Sequence, residues 1–378
     1  MKIKRKLHDT IEKELFGGKA LIIMGARQTG KTTLLEQIFG NRKGVVWFNA
    51  DEPDVTALFE KPTSVRLKAL FGNEQIVIVD EAQRIENVGL KFKLITDQLP
   101  EIQLVATGSS SFDLASQVNE PLTGRKWEHQ LFPLSTQEMI NHHGLLEETR
   151  MLPHRLVYGY YPEVVTSTGN ERKVLKEITD SYLYKDVLKF DKVKKPDKLI
   201  KLLQALAFQI GNEVSYNEIG NIIGLDNETV EKYILILERA YIIFKLVAFS
   251  RNLRKELKRS RKIYFYDNGI RNALIANFSE AGFRQDAGAL WENYVISERK
   301  KFLHYNNIWA NCYFWRTQDQ QEIDYIEERD GTLYATEIKW NPGKNPRLPL
   351  TFSKAYPSHQ YRVITRENFE RFVSTTGD

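Results

Sequence analysis

Short apolar runs alternate with stretches of helical spacing along the first 140 residues of the chain. Four runs of strand character stand at residues 20–24, 44–50, 75–80 and 102–108. The third, QIVIVD, is apolar at four successive positions, as central strands of parallel sheets are when both of their faces are covered. Between the runs, TTLLEQIFG and KFKLITDQLP are typical of helices. The alternation predicts an α/β fold in which helices cover both faces of a parallel sheet.

Helical spacing replaces this alternation after about residue 140 and dominates residues 171–209. Ser215 is placed to cap a short helix, and a turn at LDN separates that helix from a second one at residues 228–239. The strand-like segments AYIIFKLVAF and KIYFYD follow. Helix, turn, helix and two strands is the order of a winged helix, in which the second helix reads DNA.

The last part of the chain, from about residue 285, opens with a helix (ALWENYVISERKKFL), and four strand-like segments follow it. This pattern predicts a second, smaller α/β domain. The predicted parts of the chain are therefore a parallel α/β domain, a helical linker, a winged helix and a smaller α/β domain, at residues 1–140, 141–195, 196–268 and 269–378.

Composition and charge narrow the class of protein. The 378 residues are 42% hydrophobic and 27% charged, with a formal net charge of +5 and a single cysteine, Cys312. One thiol forms no internal disulfide, the first residues lack the apolar core of a signal peptide, and the apolar stretches are too short to span a bilayer. We therefore predict a cytoplasmic protein without a membrane segment. Positive charge is concentrated at residues 189–201 and 251–262, and the second run fits a DNA-contacting wing, a solvated hairpin or a surface that packs on the N-terminal domain.

The segment GARQTGKT matches the pattern GxxxxGK[ST] and stands between the first predicted strand and the first helix. Glycines in such a loop let backbone N–H groups point at phosphate oxygens, and the helix that begins there adds the positive end of its dipole. Lys31 would reach the β- and γ-phosphates of ATP, and Thr32 would bind Mg²⁺. The predicted cofactor-binding residues are Gly25, Ala26, Arg27, Gln28, Thr29, Gly30, Lys31, Thr32 and Thr33.

Two carboxylates, Asp80 and Glu81, end the third strand at the edge where open α/β sheets bind ligands. Asp80 would hold Mg²⁺ through water and Glu81 would orient or deprotonate the attacking water, unless both are only solvated acids. Thr107 ends the next strand and would contact the γ-phosphate or the water, or would only shape a turn. Arg125 is a candidate arginine finger, in its own site or in that of a neighbouring subunit, or else half of a structural ion pair.

Five motifs resemble those of AAA-type ATPases of bacteria and archaea that carry a second region catalogued as a domain of unknown function. The motifs are GARQTGKTTLLEQ, VVWFNADEPDV, IVIVDEAQRI, LVATGSSSFDL and LTGR followed by FPLS. The resemblance continues through GYYPEVV (159–165), YLYKDV (182–187) and the C-terminal motifs, and so covers nearly the whole chain. It implies an AAA-like ATPase core, a winged-helix segment and a C-terminal restriction-endonuclease-like fold.

Four residues of the last domain resemble the ligand set of the PD-(D/E)xK nucleases. Glu292 lies near the start of the predicted helix, Asp324 lies in a strand, and Glu337 and Lys339 are two residues apart on the next strand, so that both project to one face. The three acids would hold a hard divalent ion, which polarises the scissile phosphate and activates water. Lys339 would orient the nucleophile or neutralise developing charge. The alternative is a nuclease fold kept only to bind DNA or a protein.

The sequence leaves three functions open. The first is an ATPase that couples hydrolysis of MgATP to DNA binding or processing. The second is a nucleotide-controlled switch or scaffold, whose nuclease-like domain binds a protein partner and whose oligomers or complexes depend on nucleotide. The third is a metabolic kinase, which is disfavoured because an acid after Asp80 suits activation of water and the sequence has no lid motif for a small substrate.

Overall fold

The structure, a computed structural model, describes residues 3–109, 118, 121–180, 195–250, 260–344 and 346–375. Residues 182–187, and residues 189–194 and 251–259 of the two basic runs, lie outside the described residues. The chain divides into two compact units. The N-terminal unit consists of Lys2–Pro133 with Arg239–Tyr241, and the C-terminal unit consists of Leu134–Glu238 and Ile242–Asp378. The N-terminal unit thus ends seven residues before the predicted limit at residue 140, and apart from residues 239–241 the parts predicted beyond that limit lie in one unit.

A five-stranded sheet forms the centre of the N-terminal unit. The described helices and strands of this unit are α1 (Leu7–Glu14), β1 (Ala20–Met24), α2 (Lys31–Phe39), β2 (Val45–Asn49), α3 (Pro53–Leu58), α4 (Ser64–Phe71), β3 (Ile76–Asp80), α5 (Val88–Gln98), β4 (Gln103–Gly108) and β5 (Lys126–Gln130). The strand order is β2-β3-β4-β1-β5, and all four pairings are parallel. Every residue of β1, β3 and β4 is buried, which requires that both faces of the sheet be covered. The predicted parallel α/β sheet is confirmed.

The apolar core of this unit fixes where the strands end. Val77 and Val79, alternate residues of β3, pack in one cluster with Phe71 of α4 and Phe92 of α5. In register, Met24 of β1 lies opposite Gly108 of β4, and the last residues of β2 and β3 lie opposite each other. The carboxyl ends of the central strands therefore meet at one edge of the sheet, where the phosphate loop and the acidic pair follow them.

Helices make up the first part of the C-terminal unit. They are α6 (Thr136–His143), α7 (Leu145–Tyr158), α8 (Pro162–Thr166), α9 (Glu171–Ile178), α10 (Pro196–Phe208), α11 (Tyr216–Ile223) and α12 (Asn227–Arg239). Ser215 caps α11, its side-chain oxygen accepting a hydrogen bond from the backbone N–H of Glu218 at 3.3 Å. α12 buries Val230 and Tyr233 and leaves Glu228 exposed. The predicted succession of helix, turn and helix is therefore present, with an acidic outer face that repels phosphate.

A six-stranded mixed sheet completes the C-terminal unit. Its described elements are β6 (Ile243–Ala248), β7 (Arg261–Phe265), α13 (Asn268–Leu274), α14 (Ala287–Tyr305), β8 (Asn311–Arg316), β9 (Glu322–Arg329), β10 (Thr332–Ile338), α15 (Leu350–Ala355), β11 (His359–Ile364) and α16 (Phe369–Ser374). The strand order is β11-β10-β9-β8-β6-β7, and the long helix α14 packs against β7, β10 and α16. None of the helices that the structure describes combines the length and apolar character needed to cross a membrane.

The two strands predicted as a wing belong to this sheet instead. β6 and β7 pair antiparallel, as the strands of a wing would, but β6 also pairs in parallel with β8. The pairing places Val247 opposite Tyr313 and Ala248 opposite Phe314. Ile243 is fully buried, as is Tyr264 of β7, so the strand pair contributes to the core rather than standing in solvent. The predicted boundary at residue 268 therefore cuts through one continuous sheet, and the winged helix is not a separate domain.

Candidate functional site

The loop between β1 and α2 has the backbone that phosphate binding requires. At Gly25 a Cβ atom would stand 2.2 Å from the carbonyl oxygen of Leu131, so only glycine fits. Gly30 has a φ of 89°, in the left-handed region that glycine adopts without strain. α2 begins at Lys31 and aims the positive end of its dipole at the loop. The predicted cofactor-binding residues, 25–33, all lie on this loop and the first turn of α2.

The Lys31 side chain lies folded over the loop. It is 5% exposed, and its Nζ atom donates to the carbonyl oxygens of Gly25 and Ala26, each at 3.0 Å. The hydroxyl of Thr29 donates to the same Ala26 carbonyl at 2.8 Å. The loop therefore holds a cation against its own backbone, which fits the negative charge of a triphosphate.

A buried arginine that no sequence motif marks supports this loop. Arg5 is 5% exposed; its Nη1 donates to the carbonyl of Thr29 at 2.7 Å, and its Nη2 donates to the carbonyl of Phe132 at 2.6 Å. The guanidinium thus ties the phosphate loop to the segment after β5. In the sequence, Arg5 is one of several basic residues near the N-terminus, a segment typical of solvent-exposed chain. Its partners lie far along the chain, so no local pattern marks it.

We expect Arg5→Met to lower the free energy of unfolding of the N-terminal unit by about 2–4 kcal/mol, because two buried carbonyls lose their donor. Nucleotide affinity should fall as well, since Thr29 belongs to the loop. Thermal unfolding of the full chain and titration with a fluorescent ATP analogue measure the two effects. Arg42→Met is the matched control, because Arg42 is exposed. Equal effects of the two substitutions would contradict the role of Arg5.

Asp80 connects the loop helix to the neighbouring strand. One of its carboxylate oxygens accepts from Thr32 Oγ1 at 2.7 Å, and the other accepts from the buried hydroxyl of Thr107. Thr32 and Asp80 thus place two oxygen ligands together, the donor type that Mg²⁺ prefers. Thr107 Oγ1 also accepts from the backbone N–H of Glu81 at 3.1 Å. Its position favours orientation of the two acids over direct contact with phosphate.

Glu81 stands in a backbone conformation that non-glycine residues rarely adopt, with φ of 51° and ψ of 41°. Its carboxylate accepts from Gln83 Nε2 at 2.5 Å, and the same amide donates to Ser109 Oγ at 3.0 Å. These contacts hold the carboxylate beside the strand ends. Gln83 is a further site residue. It ends the segment DEAQ, but an amide two positions after an acid is not a distinctive pattern, so the sequence does not mark it.

Arg125 directly precedes β5, at the end of the parallel strands opposite the phosphate loop. Its carbonyl oxygen accepts from the N–H of Ala20, the first residue of β1, at 2.9 Å. The length of β1 places Ala20 about 13 Å from Met24, the last residue before the phosphate loop. The guanidinium pairs with Asp97 at 2.5 Å. Its role as a finger in its own site is therefore corrected to a structural ion pair, and a role toward a neighbouring subunit stays a prediction.

The C-terminal sheet brings together the residues of the nuclease-like set. Lys339 Nζ lies 2.8 Å from Asp324 Oδ2 and 2.6 Å from Glu337 Oε2. The same Asp324 oxygen accepts from the backbone N–H of Ile338 at 2.7 Å, which fixes this carboxylate against β10. Both acids are largely buried. Strand alternation explains the arrangement, because residues 337 and 339 project to the same face.

Glu292, the helical acid of the set, is held from a different strand. Tyr264 OH donates to its Oε1 at 2.6 Å, and Lys262 Nζ lies 3.1 Å from the same oxygen. Lys262 also pairs with Glu322 at 2.5 Å and is 2% exposed. The sequence pattern assigns Lys262 to the basic wing, but the lysine lies buried among acids because β7 joins the sheet. Residues 251–259 of that run lie outside the described residues.

Burial and mutual charge shift the pKa values of this cluster. Burial raises the pKa of Glu292 to about 7, against the lowering effect of Lys262 and with help from Asp324. Burial likewise raises the pKa of Glu337 to about 7, Asp324 adds to the shift, and Lys339 opposes it. Burial by itself would lower the pKa of both lysines, but the neighbouring carboxylates raise it above the usual lysine value. The cluster therefore combines two lysine cations with two glutamates, Glu292 and Glu337, whose pKa is raised to about 7.

The donor types of this cluster fit a hard divalent ion, since they are carboxylate oxygens. Each of the three acids also contacts a lysine ammonium, so positive charge already stands among them. Within the described ranges, the one group of three ligand atoms all within 4.8 Å of one another is His8, Asp9 and Glu12 on α1. That group is largely exposed, and such acidic surface groups are common without a metal.

A cleft of about 450 Å³ opens beside the carboxylate cluster. Its lining includes Glu292 and Lys339, together with Trp340, Asn341 and Lys344 from the segment after β10. The rest of the lining consists of small residues at 281–282 and 287–288 together with Arg284, Gln285 and Ile338. A volume of this size lies in the range of small-molecule sites.

Three protein-family descriptions match successive parts of the chain. An AAA domain matches residues 17–140, which include the phosphate loop, β3 and β4. Two domains of unknown function, DUF8612 and DUF4143, match residues 149–281 and 287–376.

Curated relatives extend over most of the chain. An uncharacterized protein of Haemophilus influenzae is 27% identical over 381 residues, covering 93% of this chain and 90% of its own length. An uncharacterized protein of Mycobacterium tuberculosis is 26% identical over 335 residues, covering 87% of this chain and 72% of its own. Among solved structures, a Walker-type ATPase of Pyrococcus abyssi is similar at a TM-score of 0.49 and 14% identity, over 72% of this chain and 96% of that chain.

Proposed function

Because residues 17–140 match an AAA domain, we propose that this chain hydrolyses MgATP in its N-terminal unit and couples hydrolysis to binding and cleavage of DNA by its C-terminal unit. The observation that carries the proposal is a continuous hydrogen-bonded set at the strand ends. Thr32 donates to Asp80, and Thr107 donates to Asp80 while it accepts from the backbone of Glu81. This set joins the phosphate loop to an acid suited to activate water.

Each residue of the set has a role in the proposed reaction. Lys31 and the loop N–H groups bind the β- and γ-phosphates, and Thr32 and Asp80 hold Mg²⁺, which when bound neutralises phosphate charge. Glu81 accepts a proton from a water whose oxygen attacks the γ-phosphorus. The bond from that phosphorus to the oxygen bridging the β- and γ-phosphates then breaks, which gives ADP and phosphate. Gln83 keeps the Glu81 carboxylate in place.

The meeting of Asp324, Glu337 and Lys339 within ion-pair distance supports the DNA part of the proposal. Asp324 and Glu337, which both contact Lys339 Nζ, would hold a divalent ion, and that ion would supply Lewis-acid activation of a scissile phosphate and of water. Lys339 neutralises charge at the carboxylates and is close enough to them to steady a phosphate at the same place.

A second candidate is a nucleotide-controlled switch or scaffold whose C-terminal unit only binds a partner. The observation that favours it is the internal neutralisation of the cluster. Lys339 contacts two of the acids, and Lys262 contacts Glu292 and Glu322, so the charges are paired without any ligand. A buried cluster paired in this way also holds a fold together, because removing one partner leaves an uncompensated buried charge.

We expect double- or single-stranded DNA to raise the ATPase rate of the full chain severalfold. The assay measures phosphate release with Mg²⁺ at low salt, because phosphate contacts weaken as salt rises. Glu81→Gln supplies the background rate in each condition. An ATPase rate indifferent to DNA, together with no DNA binding at low salt, rejects the DNA part of the proposal and leaves the switch as the better account.

A further inference from the structure

The turn that borders the cleft beside the carboxylate cluster carries an exposed aromatic residue that phosphodiester chemistry does not use. Phe283 stands between Gly282 and Arg284, which both line the cleft, and its side chain is 86% exposed. A ring so exposed contributes little to the core of the protein. Phe283 does not itself line the cleft but stands beside it, between two residues that do.

The turn that carries Phe283 is firmly anchored. Arg284 is buried; its Nη1 donates to the carbonyl of Asn277 at 2.9 Å, and its Nε and Nη2 donate to Asp286 at 2.7 and 2.8 Å. Arg271, also buried, binds the same carboxylate at 2.6 Å. Although burial opposes the shift, the two arginines lower the pKa of Asp286 to about 2. These contacts therefore fix the backbone that carries Phe283.

A second aromatic residue and a lysine line the cleft. The guanidinium of Arg366 lies 4.3 Å from the ring centroid of Trp340, and Trp291 meets that ring at 6.0 Å and 65°. These contacts hold Trp340 while part of it faces the cleft. Lys344 is exposed, and no ion pair joins it to another residue in the described part of the chain. The cleft thus offers flat apolar surface and positive charge together.

We infer that this cleft binds an unpaired nucleotide of a single-stranded nucleic acid. The base stacks on Phe283, and the backbone phosphate lies toward Lys344 and Lys339, the combination of aromatic platform and cation that single-strand binding uses. A base within a duplex has both faces covered by its neighbours, so it reaches such a platform only after it is unstacked. The inference rests on the proposed function of the C-terminal unit and names the substrate class of that same site.

The test compares oligonucleotides of about 15 nucleotides, single-stranded or paired with their complement, for binding to the full chain. Fluorescence anisotropy at low salt with EDTA measures affinity without cleavage. We expect the single strand to bind about tenfold more tightly than the duplex, and Phe283→Ala to remove about tenfold of single-strand affinity only. DNA and RNA versions of one sequence then show which sugar the cleft prefers.

Trp309→Ala is the matched control. Trp309 is an aromatic residue of 93% exposure just beyond α14, whereas Phe283 precedes that helix. The 19 residues of α14 separate the two positions by about 28 Å along its axis. We expect Trp309→Ala to leave affinity for both oligonucleotides unchanged.

Equal affinity for single strand and duplex overturns the inference, as does a Phe283→Ala effect no larger than that of Trp309→Ala. Cleavage assays with Mg²⁺ separate this failure from failure of the proposed function. If Phe283→Ala still cuts duplex DNA at the unchanged rate, the inference falls and the proposed function stands. If single strands bind through Phe283 but no DNA is cut, the inference stands and the proposed cleavage falls.

Discussion

Glu81→Gln is expected to bind ATP as tightly as the unchanged protein and to hydrolyse it at least about a hundredfold more slowly. Glutamine has nearly the size of glutamate but does not accept a proton from water. The backbone N–H of residue 81 still donates to Thr107, and the residues that would hold the phosphates, Lys31 and Thr32, are unchanged. Steady-state phosphate release measures the rate, and titration with a fluorescent ATP analogue measures affinity.

Two further variants make that result specific. Lys31→Ala should lose tight nucleotide binding, because it removes the ammonium that the loop holds against its own carbonyl oxygens and that would contact the phosphates. Glu86→Gln makes the same chemical change at an exposed position five residues further on and should alter neither rate nor affinity. Turnover by Glu81→Gln as fast as that of Glu86→Gln would exclude Glu81 as the residue that activates water.

Asp324→Asn is expected to lower Mg²⁺-dependent cleavage of DNA by about a hundredfold or more while the protein stays folded. The asparagine oxygen still accepts from the N–H of Ile338, so the local structure of β10 is kept. What disappears is the negative charge that a divalent ion and Lys339 both require. End-labelled DNA separated on denaturing gels measures cleavage, and thermal unfolding reports whether the fold is retained.

The control for this change is Asp319→Asn, at an exposed aspartate in the turn between β8 and β9. It should leave cleavage unaltered. Because Asp324 belongs to the C-terminal unit, basal ATP hydrolysis without DNA should be the same in both variants. Cleavage that persists in Asp324→Asn at the level of Asp319→Asn would show that the carboxylate cluster is not the cutting site, and a loss of basal ATPase would point to general damage.

The phosphate site could be predicted from the sequence because its parts are local. Strand, loop and helix succeed one another within residues 20–39, and both glycines belong to the pattern of the loop, although the atom that excludes a side chain at Gly25 is the distant carbonyl oxygen of Leu131. Two residues that complete the site could not be predicted in this way. Arg5 reaches Thr29 and Phe132, and Gln83 reaches Ser109, only in the folded chain, and neither residue stands in a distinctive pattern.

The pairing of strands is the other feature that the sequence does not predict. β5 is polar, KWEHQ, and gives little apolar signal, so the position of Arg125 just before it was not evident. The apolar pattern of β6 and β7 was correct for strands, but a sequence does not state which strand lies next to which. Pairing of β6 with β8 turned a predicted wing into part of a larger sheet, and it carried Lys262 from an expected DNA contact into the acidic cluster.

The place of β6 bears on how such a chain can evolve. β6 follows directly on the α11–α12 pair and also lies next to β8. The segments before and after residue 268 therefore share one sheet, and neither can be exchanged alone at that residue. Recombination at residue 268 would separate β8 from β6, with which it pairs, and would leave an unpaired strand edge open to self-association. Residues 134–375 should therefore be inherited as one block, and because Arg239–Tyr241 belong to the N-terminal unit, any replacement of that unit would have to accommodate them.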